Sequence, residues 1–196
     1  MKRSLKIAAL VLAFAGLSVA AKAQTTTSTS TTTNGGIRYS IGVDAGIPLG
    51  DFKVNNKWNL GGSVQADIPV ASQLFVTVNA GYNNVFGKKD LVVAGQTYDV
   101  ANLQLIPVKA GLKYFVIPNF YVQGEAGAAF LLNKKDRGYD KSTAFVYAPQ
   151  IGVQFPVSAN GNFIDAGIRY EASTRFETDL NSSKVSFLGL RVAYGF

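Results

Sequence analysis

Ten charged residues share one phase within segments of alternating polarity, so extended segments would carry them on a single face. They are five cations and five anions: Arg38, Asp44, Asp67, Lys109, Lys113, Glu125, Asp165, Arg169, Glu171 and Arg191. Equal numbers of opposite charges suit ion pairing, and buried charges need such pairing because an isolated one is very costly. The pattern predicts an interior charge network.

The composition excludes several kinds of catalytic site. The chain of 196 residues has no His and no Cys. It therefore has no His general base, no Ser–His or Cys–His pair, no disulfide and no zinc site built from His and Cys. Pairing with Arg169 and Arg191 explains Asp165 and Glu171 better than acid–base catalysis, which needs a positioned partner. We expect no catalytic residue, no cofactor and no metal site.

The first 23 residues have the three parts of a secretory signal peptide. A cationic start (1–6) precedes an apolar run (7–20) and the small-x-small sequence Ala21-Lys22-Ala23. The apolar run is short for a membrane-spanning helix, and the alternative is an uncleaved anchor. We predict cleavage after Ala23. The Thr/Ser-rich segment 24–36 has no apolar side chain to bury and is predicted to be a disordered leader, with a spacer or a sugar carrier as alternatives.

The formal charge of +7 also belongs partly to this signal. Four of the 19 cations (Lys2, Arg3, Lys6 and Lys22) precede the cleavage site, which leaves 15 cations against 12 anions. A strongly basic surface is the electrostatic mark of a nucleic-acid-binding protein. The small remaining excess and the export signal both argue against such a partner.

Residues 37–196 alternate apolar with small or polar side chains, which is the period of β-strands. Eight segments carry the pattern: 37–49, 58–70, 74–83, 102–116, 120–130, 145–155, 164–171 and 187–196. Long, charged connections alternate with short ones that contain Pro, as in an up-and-down arrangement. The fold is predicted to be all-β, an eight-stranded antiparallel up-and-down barrel. Leu103 and Leu105 fall out of the apolar phase and Pro107 cannot donate to a ladder, so we expect a bulge at 105–107.

The two faces of such a barrel can be arranged in opposite ways. A soluble barrel turns its apolar face inward, whereas a membrane barrel turns it outward. The export signal, strands long enough to cross a bilayer, and aromatic residues near strand ends favour a transmembrane barrel. The charged face could then pair with itself inside. A soluble periplasmic ligand-binding barrel is the alternative.

Two stretches carry a family resemblance. Residues 105–115 and 120–127 resemble the outer-membrane β-barrel domain ("porin family") of Gram-negative bacteria, related in architecture to the OmpA and OmpX barrels. Residues 187–196 are similar to the C-terminal signal of such proteins, with Leu190, Val192, Tyr194 and Phe196 as its alternating apolar positions. The resemblance implies the outer membrane as the location and the barrel-assembly machinery as a partner.

These observations favour a small non-enzymatic barrel with a charge-plugged interior. It would act structurally or through extracellular loops, as an adhesin or by binding a partner. Lys134, Lys135 and Arg137 form a loop cluster that could meet lipopolysaccharide phosphates, although charge runs are usually solvated. The alternative is a narrow porin-like channel for small solutes, but eight strands leave an interior that side chains fill.

Overall fold

The computed structural model describes residues 36–93, 95–133, 140–177 and 183–196. The predicted signal peptide (1–23) and nearly all of the predicted leader (24–36) lie outside them. So do the candidate loop contacts Lys134, Lys135 and Arg137. In these described ranges, no helix is both long and apolar enough to cross a membrane.

The described residues form ten strands and one short helix. In chain order they are β1 Arg38–Pro48, α1 Phe52–Asn55, β2 Asn56–Ala71, β3 Leu74–Gly87, β4 Leu91–Val93, β5 Gln96–Tyr98, β6 Leu103–Ile117, β7 Phe120–Leu131, β8 Thr143–Pro156, β9 Phe163–Arg175 and β10 Lys184–Gly195. Strands β4 and β5 form a separate hairpin, and the other eight close in the order β1-β10-β9-β8-β7-β6-β3-β2. The predicted eight-stranded antiparallel barrel is confirmed.

Closure depends on the pairing of the first and last barrel strands. The ladder between β1 and β10 runs from Ser40 opposite Gly195 to Pro48 opposite Phe187. Beyond it, Tyr39 N–H donates to the Phe196 carbonyl at 3.0 Å, and Phe196 N–H donates to the Tyr39 carbonyl at 2.8 Å. The barrel therefore has no open edge to pair with another chain.

The two ends of the barrel differ in their connections. Strand pairs β2–β3, β6–β7 and β8–β9 are joined by short connections at one end, called here the turn end. At the other end, the loop end, lie α1, the β4–β5 hairpin and the connections after β7 and β9. Hydrogen bonding continues into segments that the sequence analysis assigned to long connections. For example, β3 continues to Gly87 and β9 to Arg175.

Side chains alternate between a polar interior and an apolar outer wall. On β1, Ser40 is buried while the outward Ile41 and Val43 are 58% and 59% exposed. Exposed aromatic residues lie near both ends of the wall: Tyr39, Tyr114, Phe155, Tyr194 and Phe196 at the turn end, and Trp58, Phe145 and Tyr147 at the loop end. Two aromatic belts around an apolar wall are typical of a membrane barrel.

The bulge predicted at 105–107 is wrong. The β6–β7 register is continuous from Leu105 opposite Leu131 to Phe115 opposite Tyr121. Toward β3, the ladder skips Ile106 and Pro107 but resumes in the same register. Leu103 and Leu105 share the inward phase of Lys109, so the inner face changes from charged to apolar without any slip of the strand. Irregularities lie elsewhere, including one between Asn56 and Trp58 on β2.

The interior at the loop end is apolar rather than polar. The group is called here the apolar plug: Phe52, Val85, Leu103, Leu105, Ala129, Leu131, Ala144, Val146, Phe176, Val185 and Phe187. Nearly all of its members come from strand ends next to the long connections, and Phe52 comes from α1. In a barrel this narrow, facing side chains meet across the centre. The plug therefore occupies the interior below the loops.

Candidate functional site

The ten charged residues predicted from the sequence all lie on the inner face, and we call them the charged layer. Eight are buried, whereas the side chains of Arg38 and Asp44 keep 30% and 13% of their surface exposed. The strands position them through register. Arg38 lies opposite Asp67 across β1–β2, and Asp44 lies opposite Arg191 across β1–β10.

Five of the ten form a turn-end cluster around two carboxylates. Asp67 Oδ2 lies 2.8 Å from Lys113 Nζ and 3.6 Å from Arg38 Nη2. Asp165 lies 3.6 Å from Lys113 Nζ and 3.5 Å from Arg191 Nη1. Lys113 therefore links the two carboxylates, and it also lies 4.6 Å from the centroid of the Tyr121 ring.

The other five form a loop-end cluster around Arg169 and Lys109. Lys109 Nζ contacts Glu171 closely and lies 3.8 Å from Glu125 Oε2. Arg169 lies 3.4 Å from Asp44, 3.8 Å from Glu125 and 4.0 Å from Glu171. The sequence predicts that Asp165 and Glu171 pair with Arg169 and Arg191. The structure adds Lys109 and Lys113 as their other partners.

The two clusters carry opposite formal charges and are joined by polar side chains. The turn-end cluster has three cations and two anions, and the loop-end cluster has two cations and three anions. Arg191 Nε donates to Ser63 Oγ at 3.0 Å, and the Ser63 hydroxyl donates to Asp44 at 2.6 Å. This link connects the turn-end cluster, which has one excess cation, to the loop-end cluster, which has one excess anion. Because the two excess charges cancel, the charged layer as a whole is neutral.

A second link runs through Gln150 and Tyr121. Arg169 Nε donates to Gln150 Oε1 at 2.8 Å, and Gln150 Nε2 donates to the Tyr121 oxygen at 2.5 Å. The Tyr121 hydroxyl then donates to Asp165 Oδ1 at 2.9 Å. All donors in the chain point toward Asp165, and such aligned hydrogen bonds polarise one another. Sequence reasoning missed Ser63 and Tyr121 in this role, although both share the inward phase.

Glycines provide the space for this link. Gly152 and Gly167 lie opposite each other on β8 and β9. A Cβ at Gly167 would lie 2.5 Å from Gln150 Nε2 and 2.9 Å from the Tyr121 hydroxyl, and one at Gly152 would overlap the same ring. Any larger residue there would displace the side chains that connect the two clusters.

Amides satisfy much of the remaining hydrogen-bonding capacity. Gln65 donates to Asp67 at 2.7 Å, and Gln154 donates to Asp165 at 2.7 Å. Asn59 is an exception, because neither of its buried amide atoms has a hydrogen-bond partner among the described residues. Asn59 lies where the charged layer meets the apolar plug. A Cβ at Gly46 would contact both the amide oxygen of Asn59 and the ring of Phe187, which belongs to the plug.

Aromatic rings surround the guanidinium of Arg38 at the turn end. Its Cζ lies 4.3 Å from the ring centroid of Phe75, 5.6 Å from that of Phe115 and 5.2 Å from that of Phe163. These rings and Arg38 line a concavity of about 340 Å³ at the mouth of the barrel. Cation–π contacts of this kind hold a cation over an aromatic face, so these rings position Arg38 at the turn-end mouth of the interior.

The charged layer is an ion-pairing network inside the barrel. No group of three or more His, Cys, Asp or Glu residues able to hold a metal ion occurs in the described ranges. Asp165 and Glu171 are each buried and in contact with cations. The C-terminal positions Leu190, Val192, Tyr194 and Phe196 point outward from β10 and its end, with 42–61% of their surface exposed.

Comparison with known proteins agrees with this architecture. The family model described as "Outer membrane protein beta-barrel domain" matches residues 9–196. The structure resembles the outer membrane protein OprG from Pseudomonas aeruginosa (12% identity, 82% of this chain and 94% of that one, TM-score 0.50). It also resembles the outer membrane protein AlkL (16% identity, 88% and 95%, TM-score 0.51). No curated protein sequence matches the chain.

Proposed function

Because the chain belongs to the outer membrane protein beta-barrel domain family, we propose that it is a non-enzymatic, closed barrel. It acts structurally or through the connections at its loop end, as an adhesin or by binding a partner. The long connections of outer-membrane barrels face the cell exterior, and the short turns face the periplasm. The loop end would therefore be the surface that other molecules meet.

The filling of the interior at three successive levels supports this proposal. From the loop end, the apolar plug comes first and the buried members of the charged layer come second. Arg38, the half-buried member of that layer at the turn end, comes last with its aromatic rings. Passage of a solute would require displacing plug side chains and separating buried ion pairs. Breaking one buried pair costs several kcal/mol, so spontaneous opening would be rare.

Planar-bilayer conductance of the refolded protein tests closure. We expect no stable channels from the wild type, with a known porin in the same lipid as the positive control. A variant that shortens the plug, Leu103→Ala with Phe187→Ala, should also stay closed because the charged layer remains. Stable wild-type channels of reproducible size would contradict the proposal and favour the narrow porin-like channel.

The absence of enzymatic activity is the second part of the proposal. The chain lacks His and Cys, and the buried interior carboxylates are engaged by Lys and Arg side chains. A general acid or base must reach its substrate, and these groups lie beneath the plug or inside the mouth. Turnover of phospholipids or peptides by purified protein, lost in a charged-layer variant, would overturn this part.

Export and assembly form the third part. The predicted signal peptide would direct the chain across the inner membrane, and the outward apolar positions of β10 would be read by the barrel-assembly machinery. Phe196 also joins β1 through its backbone. Membrane fractionation combined with heat-modifiable gel mobility tests location and closed fold together. Phe196→Ala should lower the folded fraction in cells while leaving refolding in detergent nearly unchanged, and an equal loss in both would point to stability alone.

A further inference from the structure

Three lysines line one concavity at the loop end. Lys53 comes from α1, Lys57 from the start of β2, and Lys88 follows the end of β3; with Val54 and Asn56 they surround about 600 Å³. Asp99, the acid beyond β5, is already engaged by Lys89 at 3.4 Å. None of the described residues that line the concavity is acidic, so the concavity itself carries three positive charges, and Asp99 attracts Lys57 only as the smallest of its electrostatic contributions.

An irregularity of β2 places an aromatic ring directly below these lysines. The β2–β3 register shifts between Asn56 and Trp58, so Lys57 is an extra residue in the ladder. A bulge of this kind places consecutive side chains on the same side, and both Lys57 and Trp58 are exposed on the outer face. Trp58 stacks on Phe86 with ring centroids 4.3 Å apart. Trp at this position marks the level of the lipid headgroups.

An apolar groove continues downward from the same ring. Ala45, Ile47, Trp58, Leu188 and Leu190 are among the residues that line a concavity of about 500 Å³ on the outer wall. Ala45 lies opposite Leu60 on β2 and Leu190 on β10. Its small side chain between two Leu residues makes a low point in the wall. Trp58 lines this groove and Lys57 lines the lysine concavity, so the two concavities are lined by consecutive residues of β2.

We propose that this surface binds a phosphorylated, acylated glycolipid of the outer leaflet, the lipid A part of lipopolysaccharide. Its phosphates would contact Lys53, Lys57 and Lys88, and one acyl chain would lie in the groove over Ala45. Three lysines on three elements match two separated phosphates better than the single phosphate of a phospholipid. The inference rests on the proposed orientation, with the loop end at the cell exterior, and it does not depend on whether the barrel conducts.

The chain supplies its own optical probe, because Trp58 is the only tryptophan. Diphosphorylated lipid A is titrated into the refolded protein in neutral detergent, following Trp58 emission, and native mass spectrometry counts the lipids bound. Lys57→Gln with Lys88→Gln should weaken binding about 30-fold, because the loss of each lysine near an anionic lipid surface weakens binding by about fivefold. Ala45→Leu, which fills the groove, should weaken it about tenfold.

Matched variants make the result decisive. Lys141→Gln with Arg175→Gln removes two cations that line a different loop-end concavity and should change binding by less than about twofold. Lys57→Arg with Lys88→Arg should retain binding. Equal losses in the two Gln variants, no wild-type binding, or phosphatidylglycerol binding as tightly as lipid A would each overturn the proposal. Conductance is measured on the same samples, so failure here is distinguishable from failure of closure.

Discussion

The charged layer and the apolar plug fill the same narrow interior by different means. In the charged layer, Lys113 and Arg169 each contact more than one carboxylate, so removal of one member takes an ion-pair partner from buried groups. In the plug, Leu103 and Leu105 contribute mainly apolar area. The stability of the first depends on matched pairs, whereas that of the second depends on volume and packing.

Position along the barrel axis decides whether an inward-facing residue belongs to the charged layer or to the apolar plug. Both kinds occupy the same inward phase of β6, where Leu103 and Leu105 precede Lys109 and Lys113. In the polar middle, opposite charges meet across the centre, whereas the interior at the loop end is filled with apolar side chains that need no partners.

Asp165→Ala should cause the largest loss, about 3–5 kcal/mol of unfolding free energy, because Lys113 and Arg191 then share one fewer anion. Arg191→Ala should act similarly, since Asp165 loses a cation. Urea unfolding of the refolded barrel in lipid vesicles measures the effect. Restoring charge balance with Asp165→Leu and Lys113→Met together should recover at least part of it. Unchanged unfolding midpoints for both single variants would show that the charged layer does not stabilise the folded barrel.

Leu103→Ala should lower the unfolding free energy by about 3 kcal/mol, because this fully buried side chain leaves a cavity in the plug. Leu103→Met keeps the volume and should cost only about 1 kcal/mol. The control is Leu112→Ala on the outer face of the same strand, where the side chain is 54% exposed. If the inner and outer variants lose equal stability in the same urea experiment, the plug does not pack as described.

Asn59→Leu should stabilise the barrel by about 1 kcal/mol, since Asn59 buries two amide atoms without partners among the described residues. The residue lies where the charged layer meets the plug, so this variant extends the apolar region by one position. Asn59→Asp, which buries a charge instead, should destabilise. A lower unfolding midpoint for the Leu variant would show that the boundary needs a polar side chain.

Acidification should loosen the β4–β5 hairpin without unfolding the barrel. The backbone N–H of Asp90 donates to Asp99, which holds the pKa of Asp99 below its usual value of 3.8, with a further contribution from Lys89. A lowered folded-state pKa means that this contribution is present above pH 3.8 and is lost as the pH falls through the folded pKa. Amide exchange at Asp90 measures it. Asp99→Asn should give fast exchange at every pH, and slow exchange in this variant would contradict the assignment.

Alternation predicted the barrel well because a strand's side chains have only two directions. The phase of Ser40 and Asp44 against Ile41 and Val43 assigns the inner face of β1, and the structure places these residues accordingly. The same reasoning misread Leu103 and Leu105 as evidence of a bulge. A period of two gives the face of a residue but not its depth, and a change of polarity along one face resembles a change of phase.

The partners within the charged layer could not be predicted in the same way. Asp67 and Lys113 are 46 residues apart in the chain. They lie on β2 and β6, which β3 separates, and their contact follows from the curvature and stagger of the closed sheet. Tyr121 is aromatic, and only the space over Gly152 and Gly167 shows that its hydroxyl links the two clusters. The extra residue Lys57 is also invisible without the β3 partner strand.

The class of fold, the two faces of each strand and the equal numbers of interior charges can be read from residue order alone. These follow from local residue order, since polarity with a period of two is read within a few residues. The tertiary structure was needed to show which charges meet, that an apolar plug occupies the loop end, and that Lys53, Lys57 and Lys88 line one concavity near Trp58. Those relations depend on how eight strands are staggered around a closed barrel, because closure brings together residues that are distant in the chain.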